Sequence, residues 1–98
     1  MPTIVLRREA KLDLDKIDNF SRETFGNEKA DVYMSEFTRA FGLISEYPEI
    51  GASFRSRKVP LRSYPAGSHR IFYYFDGQRV VIVRVLHAAM DAGRHLRR

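Results

Sequence analysis

The sequence contains no cysteine. This absence excludes disulfide bonds, thiolate metal sites and cysteine nucleophiles, and it fits a cytoplasmic protein. No stretch is long and apolar enough to cross a bilayer. The N-terminal residues Met-Pro-Thr-Ile-Val-Leu-Arg-Arg also lack the basic region and long apolar run of a secretory signal. We therefore expect a cytoplasmic protein without a membrane partner.

Recognisable motifs for metals and nucleotides are missing as well. No recognised metal motif includes any of the three histidines, His69, His87 and His95. There is no Walker loop, GxGxxG or GxSxG. Asp13, Asp15 and Asp18 lie close together, but we place them on the solvated polar face of a helix. We expect neither a metal nor a cofactor.

Acidic residues are few relative to basic ones, with 12 Asp and Glu against 17 Lys and Arg. The resulting net charge of +5 favours an anionic partner, such as nucleic acid, a nucleic-acid-processing machine or an acidic protein. An ordinary basic surface is the alternative. The length of 98 residues indicates one domain with a small core, residues 1–98.

Two amphipathic helices are predicted after a short first strand at residues 3–6. The first begins near Arg8, and its apolar side chains share one helical face: Ala10, Leu14, Ile17 and Phe20. We expect Gly26 to end this helix and Asn27 to cap the second, which spans residues 28–46. The second helix has the clearest periodic stripe: Ala30, Tyr33, Met34, Phe37, Ala40, Phe41 and Ile44. The short connection predicts an antiparallel hairpin with both stripes in the core.

Three further strands are predicted after a loop at residues 49–57, at residues 59–64, 69–75 and 79–86. They are separated by a turn at Pro65-Ala-Gly67 and a two-residue hairpin turn at Asp76-Gly77. The last strand contains an almost unbroken apolar run, which places it inside the sheet. The predicted fold class is α+β with the order β-α-α-β-β-β, in which an N-terminal helical hairpin packs on a small, mainly antiparallel sheet.

A distributed set of basic residues is the remaining candidate for chemistry: Arg55, Arg57, Lys58, Arg62, Arg70, Arg84, His87, Arg94, His95, Arg97 and Arg98. In a metal-free ribonuclease, cations stabilise the pentacovalent phosphate while histidine or tyrosine transfers protons. His87 lies at the end of the apolar strand, and its ordinary pKa suits acid–base catalysis. The alternative is a structural histidine beside a basic surface patch.

An ordered series of short patterns covers almost the whole chain: Ala10-x-x-Asp13-Leu14-x-x-Ile17, Gly26 with Ala30-Asp-x-Tyr33, Tyr47-Pro48-x-x-Gly51, Leu61-Arg62-Ser-Tyr64, His69-Arg-Ile71-Phe-Tyr73, and Val83-x-Val85-Leu86-His87-x-x-Met90-Asp91. This series resembles the ParE branch of the RelE/ParE toxin superfamily. The family's β-α-α-β-β-β fold agrees with the prediction made from the residues.

The resemblance implies a type II toxin that a ParD-like antitoxin neutralises in a hetero-oligomer. Such antitoxins lay a C-terminal segment, disordered when free, along the helical hairpin and the sheet. Val32 and Leu43, apolar and off the main stripe, are candidates to line that groove or are ordinary surface residues. ParE-branch toxins are associated with poisoning of DNA gyrase, which blocks replication and requires no active site. RelE-branch relatives instead cleave mRNA on the ribosome.

The segment Ala-Ala-Met-Asp after His87 matches the ParE pattern and favours gyrase as the target. The alternative is a RelE-like endonuclease with four catalytic residues: Lys58, Arg62, Arg84 and His87. A relative that only binds antitoxin is a third possibility. For gyrase, and for DNA held in the target complex, we expect contacts from basic residues: Arg55, Arg57, Arg62, Arg94, His95, Arg97 and Arg98.

Overall fold

The computed structural model describes residues 2–55 and 60–96, and one mixed sheet organises these residues. The elements in chain order are β1 (Thr3–Leu6), α1 (Arg8–Phe25), α2 (Asn27–Glu46), β2 (Ala52–Phe54), β3 (Leu61–Ala66), β4 (His69–Phe75), β5 (Arg79–His87) and α3 (Ala92–His95). The strand order is β1-β5-β4-β3-β2, with β1 parallel to β5 and the other pairs antiparallel. The α+β fold, the helical hairpin and the interior position of β5 are confirmed.

The hairpin turns at Gly26, which ends α1 with a positive φ of 89°. Its N–H donates to the Arg22 carbonyl, as expected for a glycine that closes a helix. The prediction that Asn27 caps α2 is wrong, because Gly26 occupies the N-cap position and Asn27 is already the first helical residue. The tight turn therefore leaves α2 without a side-chain cap.

The buried stripe of α2 is confirmed, with Ala30, Phe37, Ala40 and Ile44 all in the core. The stripe of α1 was wrong at its last position, because Phe20 is 63% exposed and Ser21 is buried instead. Ser21 follows Ile17 by four residues and so continues the buried face of the helix, whereas Phe20 is rotated away from it.

Strand β3 extends through Pro65 and Ala66, further than predicted, and the predicted start at residue 59 lies outside the described residues. Pro65 is tolerated because β2 pairs only with residues 61–63, which leaves this end of β3 an edge on one side. Strand β2 was predicted to be loop. It has only three residues and forms through its pairing with β3, so no local pattern marks it.

The first hairpin turn lies slightly later in the chain than predicted, and the second begins at Asp76 as predicted but is one residue longer. Gly67, with a φ of 57°, and Ser68 connect β3 to β4. Asp76, Gly77 and Gln78 separate β4 from β5, and the Asp76 carboxylate accepts the N–H groups of Gln78 and Arg79. A β-bulge between Phe72 and Tyr73 shifts the register of the β4–β5 pair by one residue, because Tyr73 is opposite Ile82 whereas Phe72 is opposite Arg84.

The sheet separates two apolar clusters. Helices α1 and α2 cover one face, where Ile71, Tyr73 and Val85 are buried beneath them. On the opposite face, which we call the outer face, Leu61, Phe72 and Leu86 pack against Leu96. The segment after β5 forms the short helix α3, and the Asp91 side chain caps its first turn by accepting the Arg94 N–H. Leu96 follows this helix and packs on the sheet.

Candidate functional site

Asp13 joins α1 to the open edge of β5. Strand β1 ends at Leu6 opposite Ile82, so the following residues of β5 have no β1 neighbour. The Asp13 carboxylate occupies this gap and accepts three hydrogen bonds, two from the Arg84 guanidinium at 2.8 and 2.9 Å and one from the Val85 N–H at 2.9 Å. It therefore supplies the backbone acceptor that a longer β1 would have provided.

The expectation that Asp13 is a solvated surface carboxylate is wrong, since only 12% of its side chain is exposed. Position 13 lies on the flank of α1 that meets the sheet edge, and helical periodicity alone does not reveal the partner there. Hydrogen bonding to Asp13 raises the pKa of Arg84 above its ordinary value. Arg84, a candidate catalytic cation, is thus committed to an internal ion pair.

Arg62 is similarly engaged, because it holds the loop between α2 and β2. Its guanidinium donates to the carbonyl oxygens of Glu49 and Gly51, at 3.2 and 2.9 Å. The buried Tyr73 hydroxyl fixes the same loop by donating to the Pro48 carbonyl at 2.8 Å and accepting the Gly51 N–H at 2.9 Å. An added Cβ at Gly51 would lie 2.7 Å from that hydroxyl, so the site requires glycine. Burial raises the pKa of Tyr73.

A cavity of about 860 Å³ opens where β2 and β4 end and β3 begins. Arg55 and Arg62 line it together with the aromatic side chains of Phe54, Tyr74 and Phe75. Glu49 and Asp76 line the cavity too, so its part that suits an anionic or nucleic-acid surface is the exposed Arg55 with the exposed Phe75 ring. Two of the predicted target-binding residues are therefore brought together here.

A second pocket, of about 530 Å³, lies at the other end of the sheet, between the turn of the helical hairpin and the start of β4. It contains His69 and His87, which are directly opposite each other in the β4–β5 pair and whose rings are 5.2 Å apart between centroids. The Tyr33 hydroxyl lies 2.6 Å from Nδ1 of His69. Burial, and secondarily the neighbouring His87, lowers the pKa of His69. We call this cavity the histidine pocket.

The proposed nuclease residues do not converge in the described part of the chain. Arg62 pairs with Tyr73, two residues before the end of β4, whereas His87 pairs with His69 at its start. Four residues of strand separate these positions, or about 13 Å along the sheet, whereas acid–base catalysis at one phosphate needs hydrogen-bond contact. Arg84 is bound to Asp13, and Lys58 lies outside the described residues.

The predicted target-binding residues fall into two groups. Arg55 and Arg62 line the cavity at the β3 end, whereas Arg94 and His95 are exposed on α3. The other three members of this set lie outside the described residues: Arg57, Arg97 and Arg98.

The two predicted antitoxin-binding residues differ in exposure. Val32 is 65% exposed, as expected. Leu43 is partly buried, so the expectation that it is an exposed residue is wrong. Leu43 follows the buried Ala40 by three positions and therefore lies at the margin of the α2 stripe. Phe20, which was predicted to be in the core, and Phe25, to which no role was assigned, are both exposed and line the histidine pocket.

Within residues 2–55 and 60–96, no three histidine, aspartate or glutamate side chains are grouped so that they could hold a metal ion. Among the helices of those same residues, none combines the length and apolar character needed to cross a membrane.

Comparisons with known proteins identify the family. The family described as ParE toxin of type II toxin-antitoxin system, parDE, matches residues 4–92. Toxin ParE1 of Caulobacter vibrioides is 40% identical over 91 residues, covering 93% of this chain and 94% of the relative. Toxin ParE1 of Mycobacterium tuberculosis is 31% identical over 93 residues, covering 94% and 95%.

Two solved structures share the fold. A chain of the chromosomal ParDE TA system from P. aeruginosa superposes with a TM-score of 0.73 at 21% identity, covering 89% of this chain and 96% of that one. A chain of the toxin-antitoxin complex RelBE2 from Mycobacterium tuberculosis gives 0.61 at 29% identity, covering 89% and 99%. The protein belongs to the ParE toxin family of type II toxin–antitoxin systems, within the RelE/ParE superfamily.

Proposed function

We propose that this toxin acts in the cytoplasm as a binding inhibitor of DNA gyrase that blocks replication, and that a ParD-like antitoxin neutralises it in a hetero-oligomer. Membership of the ParE family supports the proposal. The solved structures with the same fold come from toxin–antitoxin systems, which supports an antitoxin partner.

The observation that favours inhibition by binding over RNA cleavage is the separation of the nuclease candidates. Among the described residues, Arg62 and His87 lie on opposite sides of β4 and four positions apart along it, and Arg84 is neutralised by Asp13. RNA cleavage needs a cation and a proton-transfer group at the same phosphate. A surface that binds its target has no such requirement, and the exposed Arg55 at the cavity where β3 begins offers positive charge to gyrase-bound DNA.

The decisive assay compares two reactions of the purified protein. One contains gyrase and supercoiled plasmid, and the other contains translating ribosomes with a defined mRNA. We expect accumulation of cleaved gyrase–DNA complexes, relieved by the antitoxin, and intact mRNA. Ribosome-dependent mRNA cuts without an effect on gyrase would contradict the proposal.

Charge-reversal variants locate the target surface. We expect Arg55→Glu and Arg94→Glu to weaken gyrase inhibition about tenfold or more each, because both side chains are exposed beside the proposed negative target. Arg39→Glu, an exposed arginine on α2, is the matched control and should change inhibition less than about twofold. Point variants are preferable to truncation of the tail, since Leu96 is buried in the outer-face cluster. Equal losses in all three variants would argue for a general charge effect.

A further inference from the structure

Arg70 lies on the outer face of the sheet, where the hydroxyl group of Ser63 fixes its guanidinium. Phe72, two residues later in β4, belongs to the outer-face cluster, so Arg70 projects from the same face. The Nε and Nη2 groups of Arg70 donate to the Ser63 hydroxyl oxygen at 3.3 and 2.9 Å. Ser63 is only 6% exposed and belongs to β3. The acceptor is therefore part of the sheet itself, and it holds the guanidinium in one orientation.

The charge of Arg70 has no counter-ion within the described part of the chain. Four other arginines lie within 4.0 Å of a carboxylate oxygen: Arg22, Arg62, Arg79 and Arg84. No carboxylate of the described ranges comes as close to Arg70, whose acceptor is a neutral hydroxyl. Only two N–H groups of its guanidinium are used within these ranges, so the others remain available to a ligand.

The fixed orientation distinguishes Arg70 from an ordinary surface arginine. Arg39, for example, is exposed on α2 and must lose side-chain freedom when it binds an anion. Arg70 is partly buried and already oriented by Ser63, so it loses less. A preoriented cation without a counter-ion is suited to bind an anionic group.

The neighbours of Arg70 leave space for an extended partner. On β3 it is opposite Pro65, which is exposed and lies in the part of β3 that does not pair with β2. On β5 it is opposite Leu86, which packs against Leu96 after α3. The exposed Arg94 of α3 therefore lies on the same side of the sheet as Arg70.

The carboxylates around this part of the outer face are engaged with other groups. Asp13 binds Arg84, and Asp76 beyond the far end of β4 binds Arg79. Asp91 accepts the backbone N–H of Arg94 at the start of α3. None of these three carboxylates lies within 4.0 Å of the Arg70 guanidinium.

We propose that Arg70 binds a backbone phosphate of the DNA that gyrase holds. The planar guanidinium matches two phosphate oxygens, and one N–H group donates to each. A protein carboxylate fits the same geometry, but Arg94 on the same side of the sheet favours a polyanion, because successive phosphates of one strand neutralise both cations. Phosphates carry no base information, so this contact orients the toxin on DNA without selecting a sequence. The inference rests on the proposed function, because it takes gyrase-bound DNA as the partner.

The test measures how tightly the purified toxin binds gyrase that carries a DNA duplex, by biolayer interferometry at several KCl concentrations. Arg70→Gln should weaken binding about tenfold and reduce the slope of log affinity against log salt concentration by about 0.9, the contribution of one phosphate contact. Arg39→Gln is the matched control, since it removes the same charge from a helix that covers the opposite face of the sheet. It should change the affinity less than about twofold and leave the slope unchanged.

Two further variants separate the charge of Arg70 from its orientation. Arg70→Lys keeps the charge and should restore the salt dependence but not the full affinity, because lysine cannot bind two oxygens in the same plane. Ser63→Ala also keeps the charge but releases the guanidinium, so the affinity should fall about threefold while the salt dependence is retained. Urea unfolding of each variant checks that the protein remains folded.

The outcomes separate this inference from the proposed function. A wild-type protein that stabilises cleaved gyrase–DNA complexes, with Arg70→Gln matching Arg39→Gln, would overturn the phosphate site and leave the proposed function intact. An equal loss of affinity by Arg70→Gln for gyrase with and without DNA would assign Arg70 to a carboxylate of gyrase and would also overturn the inference. A wild-type protein that neither binds gyrase nor stabilises its cleaved complexes would overturn both.

Discussion

Replacing Asp13 by alanine removes three hydrogen bonds from the open edge of β5. The carboxylate accepts two from Arg84 and one from the Val85 N–H. The two charged side chains are 12% and 23% exposed, so solvent compensates only part of the loss. Arg84→Ala has a different consequence, because the bond between Asp13 and the Val85 N–H remains. The two variants should therefore destabilise the protein unequally.

The loss of unfolding free energy in each variant depends on which hydrogen-bonding groups keep no partner after the substitution. Hydrogen bonds to charged groups contribute about 1.5–3 kcal/mol each, and breaking a buried pair costs about 3–5 kcal/mol. Allowing for the partial exposure, we expect Asp13→Ala to lower the free energy of unfolding by about 3 kcal/mol and Arg84→Ala, which leaves Asp13 its bond to the Val85 N–H, by about 2 kcal/mol. For a domain of this size, 3 kcal/mol corresponds to a fall in Tm of roughly 12–24 °C.

Urea unfolding followed by circular dichroism measures both variants and the double variant, which together form a thermodynamic cycle. An Asp13→Ala cost below about 1 kcal/mol, or one no larger than that of Arg84→Ala, would refute the role assigned to the carboxylate. The cycle also bears on function. If Arg84 is only structural, Arg84→Ala retains gyrase inhibition in proportion to its folded fraction. If Arg84 were catalytic, the folded variant would lose mRNA cleavage.

Two further predictions concern the Tyr73 hydroxyl and the partly buried His69. Tyr73→Phe should lower the free energy of unfolding by about 1–3 kcal/mol in urea titrations, because the Gly51 N–H and the Pro48 carbonyl lose their shared partner; an unchanged midpoint would contradict this. The lowered pKa of His69 means that the unfolded chain binds the proton more readily, so stability should be complete above about pH 6.5 and decline as the pH falls below it. His69→Gln should flatten that decline in unfolding midpoints measured between about pH 7 and pH 5, and an equally steep decline would assign it to other groups.

The hairpin was predictable because the helical repeat is a local property. Residues three and four apart share a helical face whatever the rest of the chain does, so the α2 stripe identifies its own buried side. Strand β2 and the extension of β3 through Pro65 depend instead on which strand lies alongside. Pairing partners are distant in sequence, so their effect on strand boundaries is not visible in a local window.

The contacts within the candidate site depended on the register between β4 and β5. A two-residue loop at Asp76-Gly77 would pair Phe75 with Gln78 and place His69 opposite Arg84. The longer turn and the β-bulge move the pairing, so that His69 faces His87. The sequence identified these residues as members of family patterns but did not indicate their contact.

The sequence by itself determined the family, the α+β order and the helix face that would be buried, because these follow from local periodicity and an ordered series of short patterns. Only the tertiary structure decided what the pattern residues do. It bound Asp13 to Arg84 across 71 positions of the chain and brought Tyr33 to His69 across 36. The reason is that hydrogen-bond partners and the environments that shift pKa values are set by register and packing between distant segments.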